Sequence, residues 1–136
     1  AWSYSQNRTF LHTDTRVMPP NRRAWASWNY TRSADSDETA PVTVSYDMTH
    51  LQKLNTQQRY FVTLNPRKPI PDHHIIKEIH YTHPQYSFEA FQSQAGLPEL
   101  NSENNTFFCG AYFGYGFHED GVKSALGVCH HFGVAL

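Results

Sequence analysis

At 136 residues, 39% apolar and 15% aromatic, the chain amounts to one domain or a piece of a larger protein, with enough apolar material for a packed core, which excludes a disordered tail. Its 11 basic and 12 acidic side chains nearly cancel and form no run of like charge, so neither a nucleic acid nor an anionic membrane surface is an expected partner. No apolar stretch approaches the roughly 18 residues that span a bilayer, and the opening AWSYSQNRTF has neither an initiator Met nor the basic-then-apolar order of a signal peptide, as a cut end would.

RTFLHTD (8–14) and RRAWASWNYTR (22–32) read as strands, the second alternating Trp28 and Tyr30 against Ser27 and Asn29. The turn signal MPPN between them suggests a hairpin. Residues 32–39 are polar without periodicity and read as an exposed loop. APVTVSYDM (40–48) is a further strand, THLQKLN a short helical or turn segment, and RYFVTLNP (59–66) a strand stopped by Pro66. PRKPIPD is too rich in proline for regular structure. HIIKEIHYTHP (74–84) alternates as a half-buried strand does. Ser87 is placed to cap a short helix FEAFQSQAG that ends at Gly96, and a loop follows over 97–105.

The last segment differs from the rest. TFFCGAYF (106–113) reads as an apolar strand, four glycines fall within twelve residues (Gly110, Gly114, Gly116, Gly121), and GVKSALGVCHHFGVAL reads as a closing helix that starts within about two residues of Gly121. The expected fold class is therefore α+β, a mostly antiparallel sheet of about five strands with a strand, glycine turn and helix at its end. Such a unit normally joins parallel neighbours. Without them, Phe107, Phe108 and the apolar face of the last helix should be exposed.

GYGFHE (114–119) nearly matches the dinucleotide fingerprint G-x-G-x-x-G, but Glu119 replaces the third glycine. Only 15 residues follow Gly121, too few to reach the acidic ribose ligand about 20 residues on. The turn is thus no first turn of a Rossmann fold. It suits a second segment that meets a cofactor bound elsewhere, through N–H groups and the positive end of a helix; the plainer reading is a tight turn in which Glu119 and Asp120 complement the helix dipole. Cys109 and Cys129 lack metal or disulfide spacing and read as buried free thiols of a reducing, cytoplasmic compartment. The nine histidines include adjacent pairs and the His80/His83 spacing, none able to chelate one ion, so no metal is expected. His118, beside Tyr115 and Phe117, is the histidine best placed for chemistry. Sequons at Asn7, Asn29 and Asn104 are patterns that polar sequence produces by chance.

FFCGAYFGYGFHEDGVKSAL, together with LHTDTRVMPPNRRAWASWNY, VTVSYDMTHLQKL and YFVTLNP, resembles the C-terminal portion of flavin-containing amine-oxidase-like proteins, in a bacterial branch of predicted NAD/FAD-binding proteins. The likeness runs in order over nearly the whole chain. It implies an FAD-dependent oxidoreductase whose small-molecule substrate domain corresponds to residues 1–105 and whose FAD-contacting strand, turn and helix correspond to 106–136, with the main FAD-binding part upstream of Ala1. It further implies cofactor contacts from Gly110, Ala111, Tyr112, Gly116, Phe117, His118, Glu119, Asp120, Gly121 and Val122, with His118 the catalytic candidate. Ala111 stands where the wider family has a carboxylate, while Gly121, Val122 and Ser124 match the start of the helix directed at the flavin. The aromatics Trp25, Trp28, Tyr30, Tyr46 and Tyr60 would line or back an apolar pocket. Outside the resemblance, the residues also suit a non-catalytic β-rich ligand-binding or interaction domain.

Overall fold

The computed structural model describes residues 2–32 and 42–135. Among them, β1 (Tyr4–His12), β2 (Trp28–Thr31), β3 (Thr43–Asp47), β4 (Phe61–Leu64) and β5 (Ile75–Pro84) form one sheet in the order β2-β3-β4-β1-β5. The pairs β2/β3, β3/β4 and β4/β1 are antiparallel. β5 also runs against β1: Thr13 N–H donates to the His74 carbonyl and Gln85 N–H to that of Ser3. Three helices accompany the sheet, α1 (Met48–Leu51), α2 (Phe88–Ser93) and α3 (His118–His131). The expected α+β class and antiparallel sheet are present, and no helix of the described residues is long and apolar enough to cross a membrane.

The first two strands do not form the expected hairpin, since β1 pairs with β4 and β2 with β3. Residues 22–27, read as strand, are a 3-10 turn (Arg22–Ala24) and irregular chain. Side-chain capping explains the difference. Asp14 accepts the Arg16 N–H and Asn21 the Arg23 N–H, each holding a 3-10 turn, so backbone groups that a hairpin would have paired are satisfied locally. Trp25 then reaches back to Phe61 with ring centroids 6.1 Å apart. The loop expected over 32–39 lies, beyond Arg32, outside the described residues.

Contact patterns divide the chain into two compact units, residues 6–83 and residues 2–5 with 84–135, whereas the resemblance puts the change of role at 105/106.

In the first unit the strand register assigns the faces. Trp28, Tyr46, Val62 and Leu11 are successive partners in one row; Asn29, Ser45, Thr63 and Phe10 form the row beside it, on the opposite face. Of the alternating residues of β2, Trp28 is 67% exposed and Asn29 only 7%. The covered face is polar because every group on it finds a partner, which removes the penalty of burial. Asn29 Nδ2 donates to the Ala26 and Ser45 carbonyls, the Ser45 and Thr63 hydroxyls are 2.9 Å apart, and His12 Nε2 lies 2.9 Å from Thr63 Oγ1. His12 Nδ1 accepts the Asp14 N–H. This fixes the neutral tautomer with hydrogen on Nε2, donating to Thr63. Burial pushes the His12 pKa down to about 4, the nearby Asp14 charge opposing and His74 adding to the shift. β5 is more open than a half-buried strand. Its Glu78 pairs with Arg8 and lies 3.1 Å from His80, charged decoration that suits an edge strand.

In the second unit Ser87 caps α2 as expected, its Oγ accepting the Ala90 N–H at 3.2 Å. The helix continues as a 3-10 stretch, Gln94–Leu100, instead of ending at Gly96, which does not adopt the positive φ of a C-terminal glycine. Residues 106–113 are not a strand. Residues 106–110 are irregular and Ala111–Phe113 make one 3-10 turn. Without a strand to pair with, the backbone is satisfied by side chains: Asn101 Oδ1 accepts the Phe108 N–H at 2.6 Å and Ser124 Oγ the Gly110 N–H at 2.9 Å. The expected burial of the thiols fails with that strand, for Cys109 is exposed and Cys129 only half-buried. α3 begins at His118, three residues before Gly121, and buries no residue fully. Phe108, Val122 and Phe132 are exposed and Phe107 half-buried against His131 and Phe132.

Candidate functional site

The glycine turn is built around two side chains of α3. Asp120, at the third helical position, turns its carboxylate back so that Oδ2 accepts the N–H groups of Tyr115 and Phe117, both at 3.0 Å. Gly114 makes this possible, since a Cβ there would collide with the same carboxylate. One turn further on, Ser124 Oγ lies within hydrogen-bond distance of both the N–H and the carbonyl of Gly110, at 2.9 and 3.1 Å, and of the Gly121 carbonyl at 2.8 Å. Gln94 Nε2 completes the frame by donating to the Tyr112 and Gly114 carbonyls at 3.1 and 2.6 Å.

An aromatic cluster backs the turn. Trp2 stands edge-on to Tyr86 and Tyr112, with centroids 5.2 and 6.3 Å away, and its Nε1 donates to Ser93 Oγ at 2.9 Å. Tyr86 continues to Phe91 and Phe91 to Tyr115. Gly116 has φ of +90°, and a Cβ on it would lie 2.6 Å from the Tyr86 hydroxyl. That hydroxyl is buried without a hydrogen-bond partner among the described residues. Burial, with the Asp120 charge adding to it, raises the Tyr86 pKa. Burial likewise raises that of Tyr112, Cys109 and Tyr4 contributing.

All ten residues that the resemblance singles out thus gather at one end of α3, but in different roles. Gly110, Ala111 and Tyr112 form its inner support, Tyr112 inside the aromatic cluster. Asp120 is consumed by the turn. Phe117, His118, Glu119 and Val122 are exposed, Phe117 at 69%, and Glu119 reaches Lys123 at 3.9 Å. At the start of α3 the N–H groups of His118 and Glu119 make no hydrogen bond among the described residues, as the first helical positions leave them. Two free donors flanked by the carboxylates of Glu119 and Asp120 fit a neutral carbonyl or ring edge, such as a flavin pyrimidine, and fit poorly to a pyrophosphate, which those carboxylates would repel.

Gly121 sits inside the first turn of α3 and lacks the positive φ that Gly116 and Gly133 have. A Cβ there would meet only the Ala111 backbone, N at 3.7 Å and Cα at 4.0 Å, both ordinary contacts. Gly121→Ala should therefore raise the unfolding free energy by about 0.5 to 1 kcal/mol, the helix preference of alanine over glycine; a loss of stability in urea titration would contradict this packing.

Sequence reasoning missed Gln94, Tyr86 and Trp2. Only Gln94 and Tyr86 carry a local signal, being polar atoms beside an apolar helix; Trp2 depends on the return of the chain start to residues 84–135. Among the described residues no group of three or more His, Cys, Asp or Glu side chains is arranged to hold a metal ion. Trp25 lines a polar cleft beside two arginines, while Trp28 and Tyr46 pair edge-on at 5.9 Å, so these aromatics do not share one apolar pocket. No protein-family model matches the chain, and no curated protein matches it either.

Proposed function

We propose that the chain is the C-terminal part of an FAD-dependent oxidoreductase similar to flavin amine oxidases, acting on a small-molecule substrate and completed by an N-terminal FAD-binding part of the same protein. The observation that carries this reading is the open start of α3: two free N–H groups beside exposed Phe117 and His118, on the stretch that carries the resemblance. FAD supplies the hydride acceptor. The His118 and Glu119 N–H groups would donate to the neutral carbonyl of the pyrimidine edge and orient the ring. Phe117 offers a flat apolar surface, and the His118 ring is free to exchange a proton with substrate.

The test is the full-length protein. It should purify with visible flavin absorbance. Phe117→Ala should leave it folded and weaken FAD binding, because the exposed flat surface beside the free N–H groups is lost. His118→Ala should keep FAD and change turnover in an oxidase or dye-reduction assay. A full-length protein without flavin would favour the non-catalytic β-rich binding domain instead. Full flavin occupancy in Phe117→Ala would remove this turn from the cofactor site.

A further inference from the structure

In the unit formed by residues 6–83, Arg22, Trp25, Asp47, Thr49, His50 and Arg59 enclose a cleft of about 320 Å³, a size at the lower end of small-ligand sites. Three separate stretches of chain meet there. Trp25 is held as a fixed platform, its Nε1 donating to the Pro19 carbonyl at 2.7 Å and its ring edge-on to the fully buried Phe61. The guanidinium groups of Arg22 and Arg59 both lie over this one ring, 5.5 and 5.4 Å from its centroid.

The charges do not balance. Asp47 is the one carboxylate lining the cleft, and both its oxygens are engaged: Oδ1 accepts the His50 N–H at 3.1 Å and Oδ2 the Arg59 Nη1 at 2.5 Å. Arg22 pairs with no carboxylate among the described residues, so a guanidinium with five donors stands unneutralised beside another whose fork is only partly used. Two like charges gathered about one aromatic ring repel, and a bound oxyanion relieves that repulsion through parallel N–H donors. Thr49 Oγ1 accepts the Tyr60 N–H at 2.9 Å, which leaves its own O–H to donate.

We infer that this cleft binds the oxyanion group of a small ligand, a carboxylate or a phosphate monoester, gripped by Arg22 and Arg59 with the indole of Trp25 as its floor. The inference is independent of the flavin reading, since no residue of α3 takes part.

Inorganic phosphate and benzoate, titrated separately into the full chain at ionic strength held constant with sodium chloride, test it by the NMR signal of the Trp25 indole N–H. At least one probe should shift that signal saturably, and the one that does names the ligand class. Arg22→Ala should weaken its binding at least tenfold. Arg22→Lys, which keeps the charge and loses the fork, should fall between. Arg23→Ala, in the same 3-10 turn but outside the cleft, should bind as the unaltered chain does. A linear response to both probes, or equal weakening in Arg22→Ala and Arg23→Ala, would overturn the site; should Arg22→Ala fail to fold, Arg22→Lys against Arg23→Ala decides it.

Discussion

Between pH 6.5 and about pH 4 the chain should lose on the order of 3 kcal/mol of folding free energy through His12 alone. In the folded chain His12 is fully buried and neutral, with Nδ1 already accepting from Asp14 N–H and Nε2 donating to Thr63. Protonation would set two N–H donors face to face and bury an ion. The unfolded chain takes up that proton near the ordinary 6.5 and the folded chain only near 4, so between these values the unfolded state binds more protons. The His12 contribution is therefore complete above pH 6.5, falls as the pH drops, and is gone below about 4. Asp14 acts in a lower window. Arg16 holds its pKa below the ordinary 3.8, so its contribution is complete above that value and fades only beneath it. Urea unfolding at pH 7, 5.5 and 4 measures the slope. His12→Gln keeps an N–H for Thr63 and removes the titration, so it should lower stability at pH 7 and flatten the slope. An unchanged slope in that variant would assign the acid sensitivity to other groups.

What was legible in the sequence follows from how local each feature is. The strands read in 8–14, 40–48 and 59–66 and the Ser87 cap depend on alternation and on one side chain's reach; the strands are found as Tyr4–His12, Thr43–Asp47 and Phe61–Leu64, and Ser87 caps α2. The partner of each strand is not local. Turn residues between Leu11 and Trp28 suggest a hairpin, but Asp14 and Asn21 spend their side chains on 3-10 turns instead. The inner face is not local either: Asn29, Ser45, Thr63 and His12 can be buried only as a connected set, and alternation in one strand does not reveal the set. Residues 106–113 have the apolar composition of a strand, yet a strand needs a neighbour, and Asn101 and Ser124 supply the hydrogen bonds instead. At the candidate site, gathering the ten residues demanded little, since they lie within thirteen positions of one another. Their division into inward supports and exposed groups depends on Ser124, Gln94 and Asp120, and that was hidden. The arginine cleft was hidden entirely, because Arg22, Asp47 and Arg59 meet only once β3 and β4 pair with Asp47 opposite Phe61.

Gly116→Ala should cost about 2 to 4 kcal/mol, the reverse of the gain expected for Gly121→Ala a few residues on. The two glycines share a motif but not a conformation. Gly116 holds φ of +90°, where an L side chain is strained, and its new Cβ would lie 2.6 Å from the Tyr86 hydroxyl and 3.2 Å from Cζ. Backbone strain and overpacking each cost about 1 to 3 kcal/mol, and partial yielding of the turn keeps their sum below the maximum. The Tyr86 hydroxyl separates the two contributions. It is buried without a partner, so Tyr86→Phe alone should leave stability unchanged or slightly raised, there being no hydrogen bond to lose. In the Tyr86→Phe background the shortest contact to the new Cβ is gone while the strained φ remains. Gly116→Ala should then cost about 1 kcal/mol less than in the unaltered chain, a coupling within the range of residues in direct contact. Urea unfolding of the four proteins closes the cycle. Zero coupling would mean that the turn shifts away from Tyr86 at no cost, and a Gly116→Ala loss below about 1 kcal/mol would mean that the left-handed turn is not what holds the start of α3 in place.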